Sequence, residues 1–166
     1  MDGLTYKQAK EVMMAKKHSS LYEVVEKRHL ILAWVQTQNQ REVIWDMLQS
    51  TLGKYRREVE GIPIAIGPAK LQPAVFLVDE GKSIHIEAQV PQIVFRPKYG
   101  ARYKCQVVSV DKKFSNGVLF NKIPVVLYQP KDREEPVEIT EGKEAKFRFQ
   151  SVEAKGNLCQ IRGALY

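Results

Sequence analysis

Cysteine is scarce: Cys105 and Cys159 are the two that the 166 residues carry. There is no CxxC, and no histidine stands beside either at ligand spacing. A disulfide framework and a zinc site are therefore both poorly supported. The two thiols read as small core side chains in a reducing compartment. Long apolar runs are missing as well. The longest are short, such as residues 30–35, which excludes a bilayer-spanning helix and predicts no membrane partner. Residues 1–18 hold lysines but no continuous apolar stretch, so no secretory signal is expected.

Catalytic signatures are absent too. The chain has no GxxxxGK[ST], no GxGxxG opening a helix and no GxSxG elbow. Its three histidines, His18, His29 and His85, are scattered, and His85 sits on the polar side of an alternating stretch as a surface or interface residue. Asp132, Glu134 and Glu135 lie beside Lys131 and Arg133, a solvated charge run rather than an acid–base pair. The expectation is a protein that is not an enzyme, with no catalytic residues, no metal and no cofactor.

What the chain does have is positive charge, unevenly placed. The net charge is +7. Residues 1–96 hold thirteen Lys and Arg against eleven Asp and Glu, a net +2; residues 97–166 hold thirteen against eight, a net +5. The excess in the second half points to a polyanion partner there.

The pattern divides the chain into three stretches. Residues 1–20 are lysine-rich and read as a mobile basic arm that orders on a partner. Within it Thr5 is positioned to cap a short helix through Ala15, with Val12 and Met13 touching something. From residue 21, Tyr22, Val24 and Val25 precede a charged break at Glu26, Lys27 and Arg28. Residues 29–35 then predict a strand. Residues 36–40 form a polar loop in which Asn39 is a plausible N-cap. Residues 41–57 are the clearest helix: Ile44, Met47, Leu48, Thr51, Leu52 and Tyr55 share one face, and Trp45 lies off it. Gly53 need not end that helix, and Gly61 supplies the stop. Residues 62–66 contain Pro63 and read as an edge strand. Another apolar segment follows at 71–78.

Residues 84–97 alternate apolar and polar as far as Pro91, where a sheet interior should not continue unbroken. This segment reads as the joint between two units. Beyond it no good helix is predicted. Tyr103, Cys105 and Val107 alternate on one face; Ser115, Asn116 and Gly117 read as a turn. Further short strands are expected at 118–120, 125–128, 145–150 and 158–165, with a charged loop at 131–136 between them. Five short strands with turns between them suggest a small OB barrel. The predicted fold class is thus α+β: an N-terminal antiparallel sheet with one covering helix over residues 21–96, then a five-stranded OB/S1-like β-barrel over 97–166.

Such barrels bind single strands by stacking bases on aromatic side chains and following phosphates with cations. The residues expected to contact RNA are Lys104, Lys112, Lys113, Phe114, Lys122 and Arg148. Phe114 is expected on an exposed loop. Phe147 and Phe149 are assigned to the core or its flank.

The order of elements resembles a known family. A first strand, a helix running into GIPIAIG at 61–67, IHIEAQVPQIVFRPKYG at 84–100 and CQVVSV at 105–110 together resemble the larger stalk subunit of multisubunit RNA polymerases. The family's V-x-F-x-P-x-x-G is approached by Val94, Phe95, Pro97 and Gly100, with the valine shifted by one. GVLFNKIP at 117–124 and LCQIRGALY at 158–166 look most like the RNA polymerase I form. The chain departs from the family at Cys105, where a smaller residue is usual, and at 36–40, where prolines are common. It also lacks the His-x-Ser element of many RNA-binding S1 domains.

The resemblance implies a tip domain that docks on the polymerase, with Trp34, Gln36, Gln38, Asn39 and Gln40 as the contact. It implies as partners the large polymerase subunits, a smaller stalk subunit, a polymerase I initiation factor and nascent single-stranded RNA, in the nucleus and nucleolus. The alternatives are a free-standing OB-fold RNA-binding protein, or the equivalent subunit of polymerase III or II.

Overall fold

The computed structural model describes residues 3–33, 38–72, 75–77, 83–156 and 158–166. Its first element is α1 (Tyr6–Ala15). Thr5 accepts from the Gln8 amide at 3.2 Å, and Gln8 Oε1 accepts from the Thr5 amide at 3.0 Å. This reciprocal box satisfies two orphan donors of the first turn. Ala9 is completely buried, Val12 and Met13 pack on the main core, and the Tyr6 hydroxyl donates to Glu23 at 2.6 Å. Residues 6–15 are therefore a docked helix and not the mobile arm expected over 1–20. The lysines hid a short apolar face.

β1 (Leu21–Ala33) is one strand of thirteen residues, paired throughout with β5 (Ser83–Phe95). The break expected at 26–28 does not occur. Glu26 accepts from Arg56 and, at 3.2 Å, from Gln92, so its charge is answered within the sheet. α2 (Gln40–Gln49) buries Ile44 and Leu48 as the spacing predicts, but it stops well before residue 57. Gly53 adopts φ +76° and gives its amide to Pro63 O at 2.8 Å, which turns the chain. Arg56 and Gly61 bridge each other around a short 3-10 turn, Arg57–Val59. Gly61 is needed for close approach, not as a helix stop: a Cβ there would lie 2.7 Å from Phe95 O.

β2 (Ile62–Ile66), β3 (Lys70–Leu71) and β4 (Val75–Leu77) each pair with β5. The sheet runs β1-β5-β2, so β2 with its proline is an edge strand as expected. β5, read from sequence as a joint, is instead the central strand of this sheet. It also runs through Pro91 without a break. Pro91 O accepts from the Gly67 amide at 2.8 Å. A residue's N and O point to the same side of a strand, so the ring nitrogen faces the gap between β2 and β3 at Gly67 and Pro68. No bond to β1 is lost. The joining role falls to the end of β5, where Phe95 meets Tyr103 edge-on at 5.1 Å and Phe120 at 5.2 Å.

The second half closes on itself. β6 (Arg102–Ser109), β7 (Phe114–Leu119), β8 (Ile123–Tyr128), β9 (Glu144–Lys155) and β10 (Leu158–Leu165) form a closed barrel in the order β10-β8-β7-β6-β9. β10 and β8 are parallel and every other pair is antiparallel, which is the connectivity of an OB fold. Tyr103, Cys105 and Val107 point inward, as do Ala145, Phe147 and Phe149. The turn expected at Ser115, Asn116 and Gly117 is the middle of β7. Ser115 is buried, and a Cβ on Gly117 would sit 2.8 Å from Cys105 Sγ, so this glycine serves packing rather than reversal. The reversal lies at 111–113 instead.

The two units share a core. Ile62, Ile64, Ile93 and Phe95 of the sheet join Tyr103, Ile123, Phe147 and Ile161 of the barrel in one buried cluster. A second cluster lies between α2 and the sheet, around Leu32, Leu48 and Ile86. The Ser20 and Tyr103 hydroxyls meet at 2.6 Å and the Lys98 amide donates to Tyr103 at 3.1 Å, which ties the connection down on the barrel side.

Candidate nucleic-acid interface

Alternation along β7 and β8 turns Phe114, Asn116 and Val118 outward on one strand and Pro124 and Tyr128 on the other, while Val126 between them is covered and buried. The register sets them in rungs: Phe114 opposite Tyr128, Asn116 opposite Val126, Val118 opposite Pro124. The Phe114 and Tyr128 rings lie 6.3 Å apart, tilted by 50°. Phe114 is 41% exposed, an uncommon state for an aromatic that has a barrel beneath it. Lys112 and Lys113 stand beside it on the turn before β7, and the Lys112 amide donates to Asp111 Oδ1 at 2.6 Å, which fixes that turn. An aromatic rung with two cations at its edge can stack a base on one of its rings and hold the adjacent phosphate.

The six residues expected to contact RNA divide into three places. Lys112, Lys113 and Phe114 come together as expected, though Phe114 begins a strand instead of lying in a loop. Lys104 and Arg148 are exposed on the neighbouring wall formed by β6 and β9. Lys122 is elsewhere. It sits in the β7–β8 turn, where Phe120 and Asn121 adopt φ 53° and 57°. There it lines a cleft of about 790 Å³ with Leu4, Tyr6, Trp45, Leu52 and Ile66. Its stem lies over Gly53, where a Cβ would meet Lys122 Cγ at 3.1 Å. Lys122 thus belongs to the junction of the two units.

Of the expected polymerase contacts, Trp34 and Gln36 lie outside the described residues. Gln38 and Asn39 are exposed at the start of α2, followed by the half-buried Gln40. Asn39 holds the N-cap position but its side chain makes no capping bond. Trp45, 48% exposed on the same helix, extends this apolar and amide surface.

The sequence reading missed two arrangements because each depends on register. Tyr128 becomes the partner of Phe114 only through the β7–β8 pairing. His29 and His85, far apart in the chain, meet across β1 and β5 with Nε2 and Nδ1 2.7 Å apart. Glu87 lies on His29 Nδ1, and the Ser83 hydroxyl is 3.3 Å from His85 Nε2. Among the described residues no group of three or more His, Cys, Asp or Glu has the geometry to hold a metal ion. The thiols are buried, as read. Burial pushes Cys105 up to about 12 and raises Cys159 too, so neither is a ready nucleophile.

Two family models match the chain, the F10E9.4 N-terminal domain over residues 3–96 and the F10E9.4 C-terminal domain over residues 102–166. A Caenorhabditis elegans relative, the uncharacterized protein F10E9.4, is 30% identical over 165 residues. That alignment takes in 98% of this chain and 62% of the relative, so the chain spans under two thirds of the relative's length.

Proposed function

The chain belongs to the F10E9.4 family, matching its N- and C-terminal domains in order; from the joined sheet and barrel of those two domains, and from the resemblance of their motifs to polymerase stalk subunits, we propose that it is a non-catalytic stalk subunit of RNA polymerase I. The sheet unit docks on the core enzyme through the start of α2. The barrel projects and offers its β7–β8 face to nascent single-stranded RNA. A polymerase I initiation factor is a further partner for the barrel, and a smaller stalk subunit for the line where the two units meet. The setting is ribosomal RNA transcription in the nucleolus.

One observation supports this reading above the others. A helix-covered antiparallel sheet is fused to an OB barrel through a single buried cluster. A shared core resists hinge motion between its parts. That makes the pair suited to hold one end on a large machine while presenting the other at a fixed place. The same order of units underlies the resemblance to polymerase stalk subunits.

The exposed Phe114 beside the half-buried Tyr128, with Lys112 and Lys113 next to it in the chain, favours a second reading, a free-standing RNA-binding protein. One experiment separates them. Gentle purification of the tagged chain is expected to bring down the large polymerase subunits in fixed ratio. Recovery of the chain alone, monodisperse and holding RNA in a salt-sensitive way, speaks for the free binder. The identity of the largest co-purifying subunit distinguishes polymerase I from polymerase III or II.

A further inference from the structure

The barrel wall between β6 and β9 carries an arrangement that folding alone works against. The antiparallel register places Arg102 opposite Arg148 and Lys104 opposite Lys146. All four side chains are exposed. Like charges directly opposite each other weaken a strand pair, and here two such rungs are consecutive. None of the four forms an ion pair among the described residues. The first acid in register is Glu144, one rung further on, and it faces Gln106. The two guanidiniums at the end of the ladder are held in place: Arg102 lies over the Tyr166 ring at 5.0 Å and Arg148 at 5.4 Å.

We infer that this wall is a phosphate-gripping track for the backbone of a single strand whose bases stack on Phe114 and Tyr128; the inference rests on the RNA reading of the barrel. Same-face neighbours along a strand are about 6.8 Å apart and opposite residues about 5 Å. The four cations thus form a tight grid suited to a linear polyanion with one charge per step. Guanidinium forks pair with phosphate oxygens bidentately, and stacking on Tyr166 leaves their N–H edges free to do so. β6 is paired with β9 on one side and β7 on the other, so the two walls adjoin; the register sets Gln106 opposite Val118, which leaves the Phe114 rung about 20 Å along the barrel from Lys104 at about 3.3 Å per residue, a span for an extended strand. The exposed side chains of Gln106 and Asn116 lie on the strands between them. An acidic protein segment is the less fitting partner, because it has no planar groups to occupy the Phe114–Tyr128 rung farther along the barrel.

The test uses the full chain and labelled oligouridylates of about four and about sixteen nucleotides, the range one OB fold covers. Anisotropy is read between about 50 and 200 mM KCl. The variant combines Arg102→Gln, Lys104→Gln, Lys146→Gln and Arg148→Gln. For the long oligonucleotide its affinity is expected to fall at least about tenfold, and the slope of log K against log salt to flatten by about 0.7 for each phosphate no longer neutralised. The short oligonucleotide is expected to bind as before. The melting temperature is expected to rise, since two repulsive rungs are gone; a failure to fold is thereby separated from a failure to grip phosphate. Phe114→Ala is expected to weaken both lengths and leave the slope unchanged. An unaltered slope in the four-site variant, with Phe114→Ala still weakening binding, overturns the track and leaves the RNA reading standing. Failure of the wild-type chain to bind either length at the lowest salt removes both. Polyglutamate competing as well as oligouridylate of equal charge overturns the track in favour of an acidic protein partner.

Discussion

The sheet and the barrel treat their charges in opposite ways. In the sheet, Glu26 is enclosed by Arg56, Arg28 and Gln92. Glu23 holds Tyr6 and Lys10, and His29 holds Glu87. On the barrel, Arg162 pairs with Glu153, whereas Lys104, Lys112, Lys113, Lys146, Arg102 and Arg148 are in no ion pair among the described residues. The sheet also leaves cations such as Lys27, Lys54, Arg57 and Lys70 outside any ion pair among the described residues, but its largely buried acid is answered and no like charges face each other across its strands. A unit that leaves cations stacked on one wall is arranged for counter-charge from another molecule. The contrast follows the net charges of +2 and +5 on the two halves.

The largest expected effect lies on the sheet side. Glu26→Ala takes the close, buried acid from Arg56, whose side chain is 16% exposed, and leaves it the exposed Glu58 at 3.8 Å. Removing one partner of a largely buried pair costs about 3–5 kcal/mol, so the urea midpoint should drop steeply. A drop under a third of that size would mean the sheet's charges are no better matched than the barrel's. Next comes a barrel substitution that touches no charge. Gly163→Ala would drive a Cβ into the Phe147 ring and to 3.0 Å from Arg148 O, at the register shift in β10. A loss of about 1–3 kcal/mol is expected. Because the core is shared, it should appear as a single cooperative transition seen by probes in both units. Two separable transitions would break the comparison into two independent domains.

Smaller in stability, but decisive for binding, is Phe114→Ala. Its exposed ring contributes little to the core, so the melting temperature should scarcely move. Affinity for single-stranded RNA should fall by about 1–3 kcal/mol, the worth of one stacked base. The last effect is nil at neutral pH and appears on the alkaline side. Cys105 is raised from 9.0 to about 12 by burial, and Tyr6 from 10.0 to about 12 by burial and then by its bond to Glu23. Above the unfolded values the native state retains protons that the unfolded chain has released, so stability falls as pH rises. It should be level up to about pH 9 and then decline towards 12, read as the urea midpoint against pH. Cys105→Ala should reduce the portion that begins near 9, to which the buried Cys159 also contributes.

Much of the barrel was legible in advance. Tyr103, Cys105 and Val107, and likewise Ala145, Phe147 and Phe149, alternate because each strand has one wet face and one dry face. Pro63 marked an edge, and Ile44 with Leu48 marked the buried stripe of α2. Illegible was everything decided by which strand lies next to which. Glu26 looked like a break because Arg56 and Gln92 are remote in sequence. Gly117 carried turn chemistry while its actual task was to make room for Cys105. The candidate site was half legible for the same reason. Lys112, Lys113 and Phe114 are neighbours in the chain and so stay together whatever the register. Lys122 was grouped with them by composition, although its turn faces the sheet. Tyr128, Arg102, Lys146 and Tyr166 gain their meaning only from cross-strand partners.

Pro91 has a consequence for assembly. Its ring presents no hydrogen to the side where β2 gives way to β3. Any slippage of those short strands along β5 would bring a carbonyl against a nitrogen that has nothing to offer it. The proline therefore works like a key cut for one lock: of the alignments a thirteen-residue ribbon would otherwise tolerate, it favours the one in which the gap between β2 and β3, at Gly67, lies beside it. A missing hydrogen, in this setting, is a device for proofreading.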